Sequence, residues 1–270
     1  MKKRYVTQGR LARLERKISD RDRALIETLD RLRVATTGQL RLLHFADLTE
    51  ASASRQVLLT LRRLSADRIV LALPRQVGGA RAGSRATIWT LDLAGQKLAS
   101  GCGPAGGPTR RPWTPALAFL AHRLCVSELL VELTEADRAG RCGVLEFEAE
   151  PLAWRRYGGM HGGYSYLKPD AFVRLQVRDF ERGAFIEIDR STESAAALGR
   201  KCREYRRYWE SGREQDRRGY FPEVVFSVPS EARRDAVVEV LGRQPAETWP
   251  LYRVVLDTDL ASALTREETP

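Results

Sequence analysis

The sequence predicts a mixed α/β chain in two domains. Three observations carry this: a length of 270 residues, a Gly/Pro-rich break between Ser100 and Pro115, and a change of charge across that break. Residues 1–100 hold 20 Lys/Arg against 9 Asp/Glu, a net of +11, whereas residues 101–270 hold 25 against 26, a net of −1. The boundaries follow: a basic arm over 1–18, a first domain over 19–99, a linker over 100–115, a second domain over 116–258 and a tail over 259–270. A localised positive field of this kind favours a polyanion as partner, most simply nucleic acid.

The same composition excludes several classes. No apolar run approaches the roughly 18 residues of a membrane span. The basic segment Met1 to Lys17 lacks the apolar core of a secretory leader. Cys102, Cys125, Cys142 and Cys202 lie far apart with no CxxC pair, which argues against a zinc ribbon or a disulfide framework and for a reducing cytoplasm.

In the first domain Ser19 caps a helix whose first turn is acidic and whose stripe is Leu25, Ile26, Leu29, Leu32 and Val34. Thr36-Thr37-Gly38 opens a short second helix. A third runs from about Ser52 to Ala66, with Val57, Leu58, Leu61 and Leu64 inward and Ser54, Arg55, Arg62 and Arg63 outward. Strands near Ile69–Leu73 and Ala86–Leu91 flank a glycine-rich segment that carries Arg75, Arg81 and Arg85 and no acid. Three helices and a basic hairpin resemble a winged helix-turn-helix. That resemblance implies that the third helix enters the major groove while the hairpin arginines neutralise phosphate.

The second domain opens on a helix from Thr114-Pro115 to Ala139, apolar on most sides but interrupted by His122 and Glu128. Strands, helices and strands follow in the order expected of a mixed sheet flanked by helices. Two of the strands hold the chemistry. Asp170 follows Pro169 at the start of one, and Glu187 and Asp189 alternate onto one face of the next. Strand interiors disfavour such acids, and buried carboxylates need partners. Three acids converging across neighbouring strands point to a divalent cation and to phosphodiester chemistry.

Pro169-Asp170 followed by Glu187-x-Asp189 resembles the PD-(D/E)XK, or restriction-endonuclease-like, nucleases. The resemblance implies Asp170 and Glu187 as ligands of Mg²⁺, with Mn²⁺ as substitute, the Ile188 carbonyl beside them, and Glu128 as a further acid from the preceding helix. The sequence departs from the pattern where the lysine belongs: Asp189 stands there. Lys201, on the following helix, is the natural replacement.

The larger arrangement is similar to the plasmid replication-relaxation proteins: a basic winged helix, a Gly/Pro linker, a helix carrying the motif His-x-x-x-x-x-Glu from His122 to Glu128, the segments LKPDAF and FIEIDR, and a Lys/Tyr-rich helix. The likeness spans about Ser19 to Val228. It implies a plasmid or mobile-element protein of replication or transfer that nicks DNA, with replication or transfer proteins as partners and a homodimer as a further option. The alternative is a non-catalytic regulator whose degenerate nuclease-like domain dimerises or recruits a partner. Among possible tyrosine nucleophiles stand Tyr164, Tyr166, Tyr205 and Tyr208, but water attack is the preferred route.

Overall fold

A computed structural model describes residues 6–78, 85–100, 116–158 and 163–266. The chain divides into two units, Met1–Val131 and Glu132–Pro270. The first contains α1 (Gln8–Glu15), α2 (Asp20–Leu32), β1 (Ala35–Thr36), α3 (Thr37–His44), α4 (Glu50–Ala66), β2 (Val70–Gly78), β3 (Arg85–Leu91) and α5 (Leu93–Ala99). The unit boundary falls inside α6 (Leu117–Arg138).

Caps fix the helix starts. Ser19 and Asp22 close a capping box on α2, and Thr36 and Gln39 close one on α3. The stripes of α2 and α4 bury Leu25, Ile26, Leu29, Val57, Leu61 and Leu64 in one core. Leu58, expected inside, is 42% exposed, and Ala53 takes the inner position instead. β1, β3 and β2 form a three-stranded antiparallel sheet in that order, with an irregularity between Ala72 and Gln76, around Pro74. The segment expected to be a basic arm supplies α1, whose Leu11 and Leu14 enter the core. α5 was also not anticipated. Its Gly95 lies against the chain so closely that a Cβ there would meet the Ile69 carbonyl oxygen at 2.1 Å.

The first part of α6 belongs to this unit. Leu120 and Leu124 pack with Val34, Leu73 and Ile88. Arg123, buried, donates to the Leu32 carbonyl, and the Ser127 hydroxyl donates to that of Val34. Sequence patterning assigned the whole helix to the second domain. It also expected Leu117 and Phe119 to be covered, yet both are exposed.

The second unit holds β4 (Gly143–Ala149), β5 (Arg155–Gly158), β6 (Tyr164–Leu167), β7 (Ala171–Val177), β8 (Phe180–Ile188), α7 (Ala195–Glu210), α8 (Arg213–Arg218), β9 (Glu223–Val228), α9 (Glu231–Gly242), β10 (Tyr252–Leu256) and α10 (Leu260–Thr265). Five strands make a mixed sheet in the order β10-β9-β8-β7-β4, with β8 at the centre. β8 pairs antiparallel with β7 and parallel with β9. Its run from Ala184 to Ile188 is buried throughout, as a central strand requires. Phe172, Phe185, Val224 and Phe226 meet Leu198, Cys202, Tyr205 and Val237 of α7 and α9 in one core.

Among the described residues β5 and β6 pair only with each other. The glycines from Gly158 to Gly163 predict instead a loop that runs straight into the Asp170 strand. Of that segment, residues 159–162 lie outside the described residues, as do 101–115 of the linker. Buried charge ties the hairpin down: Arg155 pairs with Glu148 at 2.7 Å and with Glu214 at 3.2 Å, and Glu214 also accepts from Arg218 and from the Tyr208 hydroxyl.

Candidate functional site

Asp170 sits immediately before β7. Its backbone N–H donates to Ile186 at 3.1 Å, and its Oδ2 accepts from the Ile188 N–H at 2.8 Å. The carboxylate is thus held at the end of β8 by the strand it neighbours. Glu187 lies one residue before Ile188 and is 1% exposed. Its Oε1 accepts from the Tyr205 hydroxyl at 2.6 Å, and its Oε2 lies 2.8 Å from Lys201 Nζ. Lys201 and Tyr205 are four residues apart on α7, so one helix face presents both to the same carboxylate. Lys201 also reaches Glu193 at 2.9 Å.

The electrostatics follow from burial. Desolvation pushes the Glu187 carboxyl up to about 7; Lys201 opposes the shift and the Asp170 charge adds to it. Burial would lower the Lys201 ammonium, but Glu187 and Asp170 outweigh it and hold it above the usual lysine value. Burial and the adjacent Glu187 push the Tyr205 hydroxyl well up, so it remains a donor.

The structure therefore brings together Asp170, Glu187 and Lys201. It does not bring in the other two expected acids. Asp189 is buried, but its Oδ2 accepts from Arg233 Nε at 3.0 Å and Nη2 at 2.6 Å, while its Oδ1 accepts from the Ser191 N–H. Glu128 is exposed and accepts from Gln39 Nε2 at 2.8 Å within the first unit. Among the described residues no group of three or more His, Cys, Asp or Glu side chains is placed to hold a metal ion. The expected cluster of Asp170, Glu187 and Asp189 is thus not formed, an arginine claiming Asp189, and the further acid, Glu128, is claimed by a glutamine. Asp170 and Glu187 remain the pair that could hold a divalent cation.

Sequence reasoning missed Arg233. One signal was available: Arg233 lies in the first turn of α9, where a helix dipole disfavours a cation. Such a residue is tolerated when an acid pays for it nearby. The tyrosines also separate. Tyr205 and Tyr208 are buried, and Tyr208 donates to Glu214, so neither is exposed for attack on a strand, whereas Tyr164 and Tyr166 are exposed.

In the first unit Arg55 and Arg62 are exposed on α4 and Ser54 is half-buried. Arg63 differs: its guanidinium donates to the buried Asp22 at 2.6 Å. Arg81, and the side chains of Arg75 and Arg85, lie outside what the structure describes.

Taken together, fold and site define a mixed α/β protein with a buried carboxylate–lysine centre at the end of its central strand. The replication-relaxation family model matches residues 26–224, so the chain belongs to the replication-relaxation family. Membership implies a role connected with plasmid replication. No curated protein and no solved structure gives a significant match. Among the described residues no helix is long and apolar enough to cross a membrane.

Proposed function

We propose that this protein binds double-stranded DNA during plasmid or mobile-element replication or transfer and nicks one strand with a divalent cation. In this reading the second unit is a restriction-endonuclease-like domain and Asp170, Glu187 and Lys201 are its site. The single observation that carries the reading is Lys201 Nζ at 2.8 Å from Glu187. The sequence pattern lacks a lysine after Glu187, and α7 supplies one from elsewhere.

The donor chemistry fits Mg²⁺. Asp170 and Glu187 offer only oxygen, and Mg²⁺ commonly takes one or two carboxylates, several waters and substrate phosphate. When bound, the cation would polarise the phosphate and acidify an attacking water. The chain's own residues do the rest. Asp170 is fixed by the Ile188 N–H. Tyr205 orients Glu187 from one side and Lys201 from the other. The Lys201 ammonium keeps a positive charge beside the carboxylates, where it can meet a phosphate oxygen.

The first unit supports the DNA-binding half of the proposal. Three helices, α2 to α4, precede the β2–β3 hairpin, and β1 joins the sheet, as in a winged helix. Arg55 and Arg62 are exposed on the third of these helices, as is Arg63, which pairs with Asp22. A second reading is favoured by a specific observation: Glu187 is already engaged at both oxygens, by Tyr205 and Lys201. In that reading the domain is a non-catalytic replication accessory module that dimerises or recruits a partner. Conversion of supercoiled plasmid to open circle in Mg²⁺ or Mn²⁺, by the parent and by Asp170→Ala and Lys201→Ala, separates the two.

A further inference from the structure

We infer that the outer face of the β5–β6 hairpin is a stacking platform for unpaired bases, and that its occupant is single-stranded DNA. The inference rests on the reading of the second unit as one that acts on DNA.

Strand alternation splits the hairpin into two faces. Arg155, Tyr157 and Leu167 are buried on one. Arg156, Tyr164 and Tyr166 are exposed on the other, and Trp154 and Lys168 continue it on either side. Tyr164 is 67% exposed, Tyr166 49% and Trp154 37%. Three large rings are thus left in solvent beside two cations. The Arg156 guanidinium carbon lies 3.4 Å from the Tyr164 ring centroid, and Lys168 Nζ lies 4.9 Å from that of Trp154. Neither 152–158 nor 163–168 contains an Asp or Glu.

That combination selects the occupant. The charge of the face is of one sign, and rings interleaved with cations and free of acid suit a polyanion that carries its own π-faces. A duplex keeps its bases inside the stack, where rings on a flat hairpin do not reach them, so the bases must be unpaired. The strand rise sets the Cα atoms of Tyr164 and Tyr166 about 7 Å apart, a spacing suited to successive stacking positions along one strand. Only Pro169 separates Lys168 from Asp170, so a strand lying on the platform runs into the candidate site.

The test is fluorescence anisotropy of the full-length protein with a labelled oligothymidine and with a duplex of the same length. EDTA is present, so that cleavage plays no part. Tyr164→Ala/Tyr166→Ala should weaken binding of the single strand by roughly ten-fold or more. Tyr164→Phe/Tyr166→Phe should restore it, because phenylalanine keeps the π-face. Duplex affinity should be unchanged in both. Unaltered single-strand binding by the alanine pair, or an equal loss on duplex, overturns the platform, as does equal loss in the phenylalanine pair. Because anisotropy in EDTA does not depend on strand cutting, the platform can fail while nicking at Asp170 stands, and the reverse.

Discussion

Lys201 on α7 lies 2.8 Å from Glu187 on β8, and the residue two places after Glu187, Asp189, instead holds Arg233. The cation that the strand lacks is therefore provided by a helix, and the acid in its place is neutralised by a second helix. Both acids are buried, so each needs its partner to offset the loss of water.

The Lys201 pair should show itself in stability. Lys201→Met leaves Glu187 buried with no cation, and its carboxyl should respond by protonating. The cost of the substitution should therefore be small near pH 5 and should grow toward pH 8, by at most about 1.4 kcal/mol per pH unit. Urea denaturation of parent and variant at both values measures it. A difference that does not change with pH would argue against the pairing.

Glu187 itself gives a complementary test. Its pKa rises from 4.5 to about 7 in the folded protein. A raised folded pKa contributes stability that is full below the unfolded value and is lost as pH rises through the folded one. The parent should thus lose stability between about pH 4.5 and 7 through this group, and Glu187→Gln should show a flatter profile over that window. Parallel profiles would contradict the burial-driven shift.

Arg233→Ala strands the Asp189 carboxylate in the core and should cost about 3 kcal/mol in denaturant unfolding. Arg233→Lys should recover only part of this, since a lysine cannot reproduce the two bonds of the guanidinium. Full recovery by lysine would mean that charge alone matters there.

Arg62 and Arg63 are adjacent on α4 but should behave differently. Arg62→Ala should weaken duplex binding and reduce the slope of log K against log salt by about 0.9. Arg63→Ala should chiefly lower stability, by about 1 kcal/mol, because Arg63 holds the buried Asp22 of the α2 capping box. Anisotropy titrations at several salt concentrations, paired with thermal melts, distinguish the two.

Local signals made much of this legible. Ser19 and Thr36 marked helix starts because capping is a local interaction, and the apolar run of β8 marked a central strand because burial on both faces is written in composition. Asp170 was legible as an acid at the start of a strand and Glu187 as one within a strand. Tertiary partners were not. Nothing near Asp189 announces Arg233, some forty residues later, and nothing in α6 announces that Glu128 meets Gln39. The β5–β6 hairpin was hidden by its glycines, which read as a loop, although Arg156, Tyr164 and Tyr166 carry the alternation of a strand pair.

The most direct measurement is the nicking of supercoiled plasmid by the full-length protein in Mg²⁺ or Mn²⁺. Open circles should accumulate with the parent, and Asp170→Ala, Glu187→Gln and Lys201→Ala should each reduce the rate by at least about a hundred-fold, the scale of losing a group that stabilises transition-state charge, while duplex binding is retained. Nicking at the parental rate by the Asp170 and Lys201 variants, or no cation-dependent nicking by a parent that binds DNA tightly, would contradict a catalytic site at the end of β8.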